Sequence, residues 1–592
     1  MYITKSSLFA LIATSFLMFQ GCKTEPSSNN ATINIRLKKD PERINPLVFP
    51  NPTAREIYQY IHVALADYDP ETLDLMPILI TEIPTAMSID TGLYKGGVAF
   101  DLTFRPDATW ENGSPITAED YLFTIKSINM PLTNAGRYRE YTERIKDIII
   151  DPKDNKKCRV ILGKTDILAL EIVVKIELYP RYFYDTENAL AAYKLSDFNV
   201  DNEEKIKEDS TLVRFADAYN GNEYSRNKIS GAGPYKFVSW TSDQTVILEK
   251  KQNYWGKDKG IADLAQEPEK IIFSIIPDDV TALAQLKAGN IDVMNEVGSE
   301  MFLTLKNDPQ GKEDFEFFTP ALTKYYIINM NNSNPKFSDK LVRKAFAHLV
   351  DVPQLIEVLE SGLATRINGP VHPIKKSYLK TLPSKDYNIE KAAKLLADAG
   401  WKDSDNDGVL DKTINGSKVS MNLEILISGQ ETGKKLALYL KENAEKVGIK
   451  IDIVEKEFKI IRAEHLKTRN YDLIPSIVSN DIVKWDELSS KWHSDSDNPA
   501  GANDFAYHNP ALDAVLDEIN VTKDESKLFE LYHQAQMIIN EDQPGIFLYA
   551  PLEKIIVSKA WNGSSTARRP GYMANTFVYT GQKIKTQSPS SN

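Results

Sequence analysis

Across residues 421–478 the apolar residues change period four times, which constrains the fold more than any other feature of the chain. Met421, Leu423, Ile425 and Ile427 alternate with mostly polar neighbours, the period of a strand. Residues 432–447 switch to helical spacing, with Leu436, Tyr439, Leu440 and Val447 inward and Gly448 placed to end the helix. Ile449, Ile451 and Ile453 alternate again, a helix-like stretch runs to about Lys467, and 471–478 reads as a third strand. Strand-helix-strand-helix-strand implies a parallel sheet with right-handed crossovers. Open parallel sheets bind ligands beyond the carboxyl ends of their strands. Two loops are therefore candidates: Ser428-Gly429-Gln430 and Ser479-Asn480-Asp481.

The alternation recurs earlier. Residues 271–276 form an apolar run, Asp278 or Asp279 can cap a helix starting near Val280, and Gly289 stops it before a second apolar run, Ile291-Asp292-Val293. At the amino end, an apolar run over 8–19 is too short for a bilayer, which needs about 20 residues, but suits the centre of an export signal. It ends at Phe19-Gln20-Gly21-Cys22, which resembles a bacterial lipobox. That predicts a signal peptide over 1–21, a lipidated Cys22 and a tether over 22–31. Only Cys158 would then remain, expected as a small buried hydrophobe.

Composition excludes some classes. A hydrophobic fraction of 42% can build large cores, and a net charge of −12 with no basic block argues against a nucleic-acid partner. Gly163-Lys164-Thr165 lacks the glycine that a phosphate loop needs at 158, and Gly231-Ala232-Gly233 runs into Pro234 rather than a helix. No G-x-S-x-G or H-E-x-x-H occurs, and no two of the seven histidines stand at ligand spacing. A hydrolase is the weakest of the readings.

Six stretches, in order, resemble the extracellular solute-binding proteins of ABC importers, in the oligopeptide- and dipeptide-binding branch (family 5). They are TWENGSPITAEDYLFTIK (109–126), GAGPYKFVSW with NYWG, PDDVTALAQLKAGNIDVM, FSDKLVRKAFAHLVDVPQLI, AAKLLADAGW (392–401) and NDFAYHNPALDAVL (503–516). Most of these residues read as structural: Thr117 and Asp120 as a capping box, Arg343 as half of an ion pair. The resemblance implies an α/β, two-lobed periplasmic-binding-protein-like (type II) fold with an additional inserted domain. Lobe I would take 32–75, 226–295 and 540–592, the insert 76–225, and lobe II 296–539.

It also implies a function. The chain would be a monomeric, membrane-anchored binding component that captures peptides by lobe closure and passes them to an ABC permease, without chemistry of its own. Asp481, ten residues past the aromatic of Tyr471-Asp472-Leu473, matches the family aspartate that meets the peptide's α-ammonium. Ile477-Val478 stand where the family has Gly-Trp, and Trp485 is the expected substitute. Arg55 is a candidate for a ligand carboxylate, and Ser428 and Gly429 for the cleft wall. Other solutes of the same fold (metal chelates, oligosaccharides, opines) and a sensory lipoprotein without a transporter are the alternatives.

No cofactor is expected beyond a structural calcium ion. Asp403, Asp405, Asp407, Gly408 and Asp411 have the spacing of a calcium loop, but Ile414 stands where the bidentate glutamate belongs. The same spacing also suits a plain turn between a helix and a hairpin.

Overall fold

A computed structural model describes residues 31–48, 51–165, 167–480 and 482–582. Cys22 and its signal, and Asp481, lie outside the described residues. The fold is α/β and two-lobed, as expected. The first lobe is built on a seven-stranded sheet in the order Phe315–Phe318, Ile555–Ser558, Val293–Met294, Thr32–Leu37, Lys270–Ile275, Thr245–Lys250, Tyr235–Thr241. Thr32–Leu37 runs parallel to Lys270–Ile275 in full register, Thr32 opposite Lys270 and Leu37 opposite Ile275. Ile33, Ile35, Ile271 and Phe273 are fully buried, with Trp561, Tyr572 and Phe577 in the same core. Arg36 is buried as well and donates to Asp279 at 2.6 Å and to the carbonyls of Ile276 and Pro277, tying this sheet to the helix Asp279–Lys287.

The second lobe is built on a five-stranded sheet in the order Lys450–Glu455, Asn422–Ile427, Leu473–Ser479, Lys324–Met330, Gly545–Phe547. The first three strands are parallel and are the run read from the apolar periods; the last two join antiparallel. The helix Glu431–Glu445 buries Leu436, Leu440 and Ala444 against this sheet, each leucine four residues from the next contact on its face.

Two strand pairings move the expected lobe limits. Phe315–Phe318 pairs with Ile555–Ser558 in the first sheet, so the outward crossing comes after 318 and not at 295. Gly545–Phe547 pairs with Lys324–Met330 in the second sheet, so the return comes after 547 and not at 539. The two crossings lie side by side: Ala321 bridges Leu552, and the Glu553 amide donates to the Pro320 carbonyl at 2.9 Å.

The insert holds an antiparallel sheet, Met87–Ser88, Val98–Thr103, Asp154–Leu162, Ile145–Asp151, packed on the helix Ala118–Asn129. Asp120 accepts from the Thr117 amide at 2.9 Å, the acidic half of the capping box. Cys158 is free and buried in this sheet, and burial pushes its thiol up to about 12. The insert's core is continuous with Leu47, Val63, Leu65 and Tyr254 from the flanking segments, so it extends the first lobe sideways rather than standing apart. Arg343 differs from expectation. Its guanidinium donates to three carbonyls, of Phe337 at 2.7 Å and of Ser338 and Asp542 at 3.1 Å, because it sits where the helix Glu525–Asp542 ends with carbonyls to satisfy. No helix among the described residues is long and apolar enough to cross a membrane.

Candidate functional site

Among the described residues, three cavities adjoin at the loop that follows the strand Leu473–Ser479. One, of about 210 Å³, lies between Arg55, His62, Tyr138, Tyr141, Glu171 and Val483. A second, of about 230 Å³, lies between Asn51, Glu56, Arg137, Lys324, Asn480 and Arg569, and shares Arg55, Tyr58, Tyr138 and Arg569 with the first. A third, of about 370 Å³, is walled by Tyr68, Asp74, Ile374, Lys376, Ile482 and Lys484. Residues from both lobes and the insert meet here, beyond the carboxyl end of a parallel strand.

The first cavity has a wall of paired charges and shares Glu171 and Val483 with the third. Arg568 donates to Asp67 at 2.8 Å and to both oxygens of Asp263 at 2.7 and 2.9 Å. Lys175 stands 3.1 Å from Asp67 and donates to the Ile482 carbonyl at 3.0 Å. Burial pushes the Asp67 carboxyl up, but the Arg568 guanidinium and Lys175 ammonium overturn that and hold it well below the usual carboxylate range. Tyr68 donates to Glu171 at 2.7 Å and accepts from the Lys484 amide at 2.7 Å. The loop 482–484 of the second lobe is thus held by the first lobe and the insert together.

The second cavity carries charges of both signs. Lys324 pairs with Glu553 at 3.0 Å, and Arg569 hydrogen-bonds the Ser479 hydroxyl. Glu56 accepts from Tyr572 at 2.9 Å and Asn295 at 2.8 Å. Burial, reinforced by the Glu296 carboxylate, pushes Glu56 up to about 8. Ser479 is held by a guanidinium and not by a base, so this arrangement binds and orients rather than activating a nucleophile.

The residues singled out from the sequence scatter. Arg55 lies on the wall between the first two cavities. Asp481 is outside the described residues, while its neighbours Asn480 and Ile482 line cavities on either side. Trp485 is not in these walls. It is 7% exposed, stacks on Tyr532 at 5.2 Å and meets Phe529 edge-on at 4.9 Å, because the helix Glu525–Asp542 offers both rings on one face. Ser428 and Gly429 follow the strand Asn422–Ile427 but line none of the three cavities. Gly429 has φ +75°, and a Cβ there would stand 2.9 Å from a Glu455 carboxylate oxygen, which is reason enough for glycine.

Asp403, Asp405 and Asp411 bring carboxylate oxygens within 4.8 Å of one another, but Asp407 turns away and accepts from the Val409 amide at 2.9 Å. Lys418 pairs with Asp405 and, at 3.2 Å, with Asp411, and Ser404 donates to Asp411. Lys418 supplies one positive charge beside these three carboxylates.

Sequence reasoning missed Asp67, Tyr68, Glu171, Lys175 and Arg568. Asp67 and Arg568 are 501 residues apart, and no local pattern marks either. His62 and Glu56 were equally hidden, in a stretch that reads as an ordinary apolar helix and turn.

The comparisons agree with this architecture. The model of the bacterial extracellular solute-binding proteins, family 5 (middle region), matches residues 95–500. The chain is 26% identical over 458 residues to the oligopeptide-binding protein AppA of Bacillus subtilis, covering 77% of this chain and 76% of that protein. It is 24% identical over 493 residues to the periplasmic oligopeptide-binding protein OppA of Escherichia coli, with 82% of each covered. The solved structure of B. subtilis AppA in complex with a nonapeptide superposes with a TM-score of 0.69 at 22% identity, over 93% of this chain and 99% of that one.

Proposed function

The chain belongs to family 5 of the bacterial extracellular solute-binding proteins, and from that membership we infer that it is the lipid-anchored binding component of an ABC importer, capturing oligopeptides or dipeptides by lobe closure. Its partner is a membrane permease, to which it hands the peptide. The observation that carries the reading is the junction of cavities at the loop 479–484, where both lobes and the insert contribute walls. The peptide lies extended, held through main-chain groups as an added strand would be. Asp481, between two cavity-lining neighbours, meets its α-ammonium; Arg55 meets its carboxylate. The fully paired wall of Asp67, Arg568, Asp263 and Lys175 supports a rigid cleft whose charges are spent on one another.

Mass spectrometry of ligand co-purified from an expressing cell should find peptides. Calorimetry on wild type and Asp481→Ala, with free and N-acetylated peptide, then forms a double-mutant cycle. Losing one partner of a buried charge pair typically costs about 2–5 kcal/mol, so Asp481→Ala should weaken the free peptide at least about 30-fold. The acetylated peptide should bind poorly and be indifferent to the mutation. Equal weakening of both peptides removes Asp481 from the ammonium site. No peptide recovered and no heat with any peptide removes the peptide reading. For the anchor, Cys22→Ser should release the protein from the membrane fraction; unchanged detergent partitioning would exclude lipid at Cys22.

A further inference from the structure

The third cavity, of about 370 Å³, is the largest of the three that meet at the loop after Ser479, and its lining differs in kind from the others. Six aliphatic side chains converge on it: Leu73 and Leu75 from the first lobe, Ile83 and Leu170 from the insert, Ile374 and Ile482 from the second lobe. Ile482 is buried and the other five are half-buried, so these five keep uncovered surface. Single half-exposed aliphatics are ordinary on a protein, but six from three parts of the chain around one hollow are not. Leu73 holds its place at a cost. Its φ is 57°, in the left-handed region, where glycine or asparagine sits more easily than leucine.

The charged residues of the lining each have a partner. Asp74 and Lys376 meet at 3.1 Å and are 69% and 65% exposed, so this pair stands at the mouth and links the first lobe to the second. Lys484 pairs with Glu525 at 2.9 Å, Lys375 is buried against Asp486 at 3.3 Å, and Glu171 accepts from the Tyr68 hydroxyl at 2.7 Å. Water against the aliphatic walls finds few groups to bond, and an apolar side chain that displaces it gains affinity. Because both lobes and the insert supply these walls, a side chain seated there is enclosed only when the lobes meet.

We propose that the third cavity is a side-chain subsite of the peptide site, selective for large apolar residues such as leucine and phenylalanine. This rests on the peptide-binding reading above. The test uses alanine-based di-, tri- and pentapeptides with one Leu, Phe, Asn or Asp placed at each position in turn, titrated by calorimetry against the all-alanine peptide. At one position Leu and Phe should bind about tenfold or more tighter than Ala, from the apolar surface they bury. Asn, close to leucine in size, should gain little over Ala. Asp is the control for the lysines of the lining: if it binds as tightly as Leu, those cations select and the aliphatic walls do not, which overturns the proposal. Ile374 lines this cavity and neither of the other two. Ile374→Trp should fill the hollow and bring the Leu peptide down to the level of Ala, while leaving the all-alanine peptide within about twofold. Ile374→Asn should lower the Leu-to-Ala ratio about threefold or more. Should both fail to fold, Ile83→Thr on the insert's side of the cavity is expected to lower the same ratio. A ratio unchanged in a folded Ile374→Trp protein seats the leucine elsewhere and overturns the subsite. Peptides that bind with Leu and Ala equal at every position also overturn it and leave the peptide reading standing. If no peptide binds, both fall.

Discussion

Lys175 and Ile482, 307 residues apart in the chain, meet across the cleft: the lysine ammonium donates to the isoleucine carbonyl at 3.0 Å. The same ammonium stands 3.1 Å from Asp67 and 4.7 Å from the centre of the Tyr68 ring. One cation of the insert thereby grips a residue pair of the first lobe and the loop of the second.

Lys175→Met should release that loop while Asp67 keeps Arg568 as its partner. The Lys175–Asp67 pair is 18–20% exposed and partly screened, so the fold should survive. Peptide affinity should fall about tenfold, chiefly through faster dissociation. Stopped-flow displacement measures this; an unchanged off-rate would dissociate the contact from ligand retention.

Glu56 should make stability depend on pH. Its carboxyl rises from an ordinary 4.5 to about 8 in the folded state, through burial and the Glu296 carboxylate. Between those values the folded protein holds a proton that the unfolded chain has lost, so stability falls as pH rises, by about 1.4 kcal/mol per unit from this group. Below 4.5 both states are protonated, and above 8 both are ionised, so the effect is confined to that window. Glu56→Gln is neutral throughout. Urea unfolding from pH 5 to 9 should show the variant gaining on wild type up to about pH 8 and then running parallel. A pH-independent difference would mean that Glu56 ionises normally.

Arg343 should be costly to replace. Its three acceptors are main-chain carbonyls at the end of one helix and in the turn before another, and Arg343→Met removes the donor that joins them, leaving the Phe337 carbonyl buried without this partner. A loss of about 3 kcal/mol is expected in denaturant unfolding. Arg343→Lys should recover less than half, since an ammonium cannot fork to three separated oxygens. Full rescue by lysine would show that charge alone matters there.

The acidic turn at 403–411 should respond to calcium only when its lysine is removed. Lys418 pairs with Asp405 and Asp411, so millimolar calcium should leave the wild-type melting temperature nearly unchanged. In Lys418→Met the three converging carboxylates lose their cation, and calcium should raise the melting temperature. An equal rise in both proteins would show that the ion displaces Lys418 without help.

The parallel run over 421–478 was legible because its residues alternate between solvent and core at two distinct periods, which is local information. The lobe crossings were not. Phe315–Phe318 reads as a short apolar strand whichever sheet it joins, and its partner Ile555–Ser558 lies more than 230 residues away. Trp485 misled for the same reason: its distance from Asp481 is visible in the sequence, while the claim of Phe529 and Tyr532 on its ring is not. The loop 479–481 could be named as a candidate because strand direction fixes where loops fall. Which side chains from the first lobe and the insert face that loop depends on packing between elements hundreds of residues apart.

Ile555–Ser558 fills a slot between Phe315–Phe318 and Val293–Met294, and Ile555, Ile556, Val557 and Ser558 are fully buried there. The lobe that contains the amino-terminal strand Thr32–Leu37 is therefore finished by one of the last strands to be synthesised. Until that strand arrives, Phe315–Phe318 has no partner in the sheet and Val293–Met294 keeps an open edge, and the contacts that close the gap join residues more than 230 apart. For the same reason, shortening the carboxyl end before residue 555 would unmake the lobe at the opposite end of the sequence.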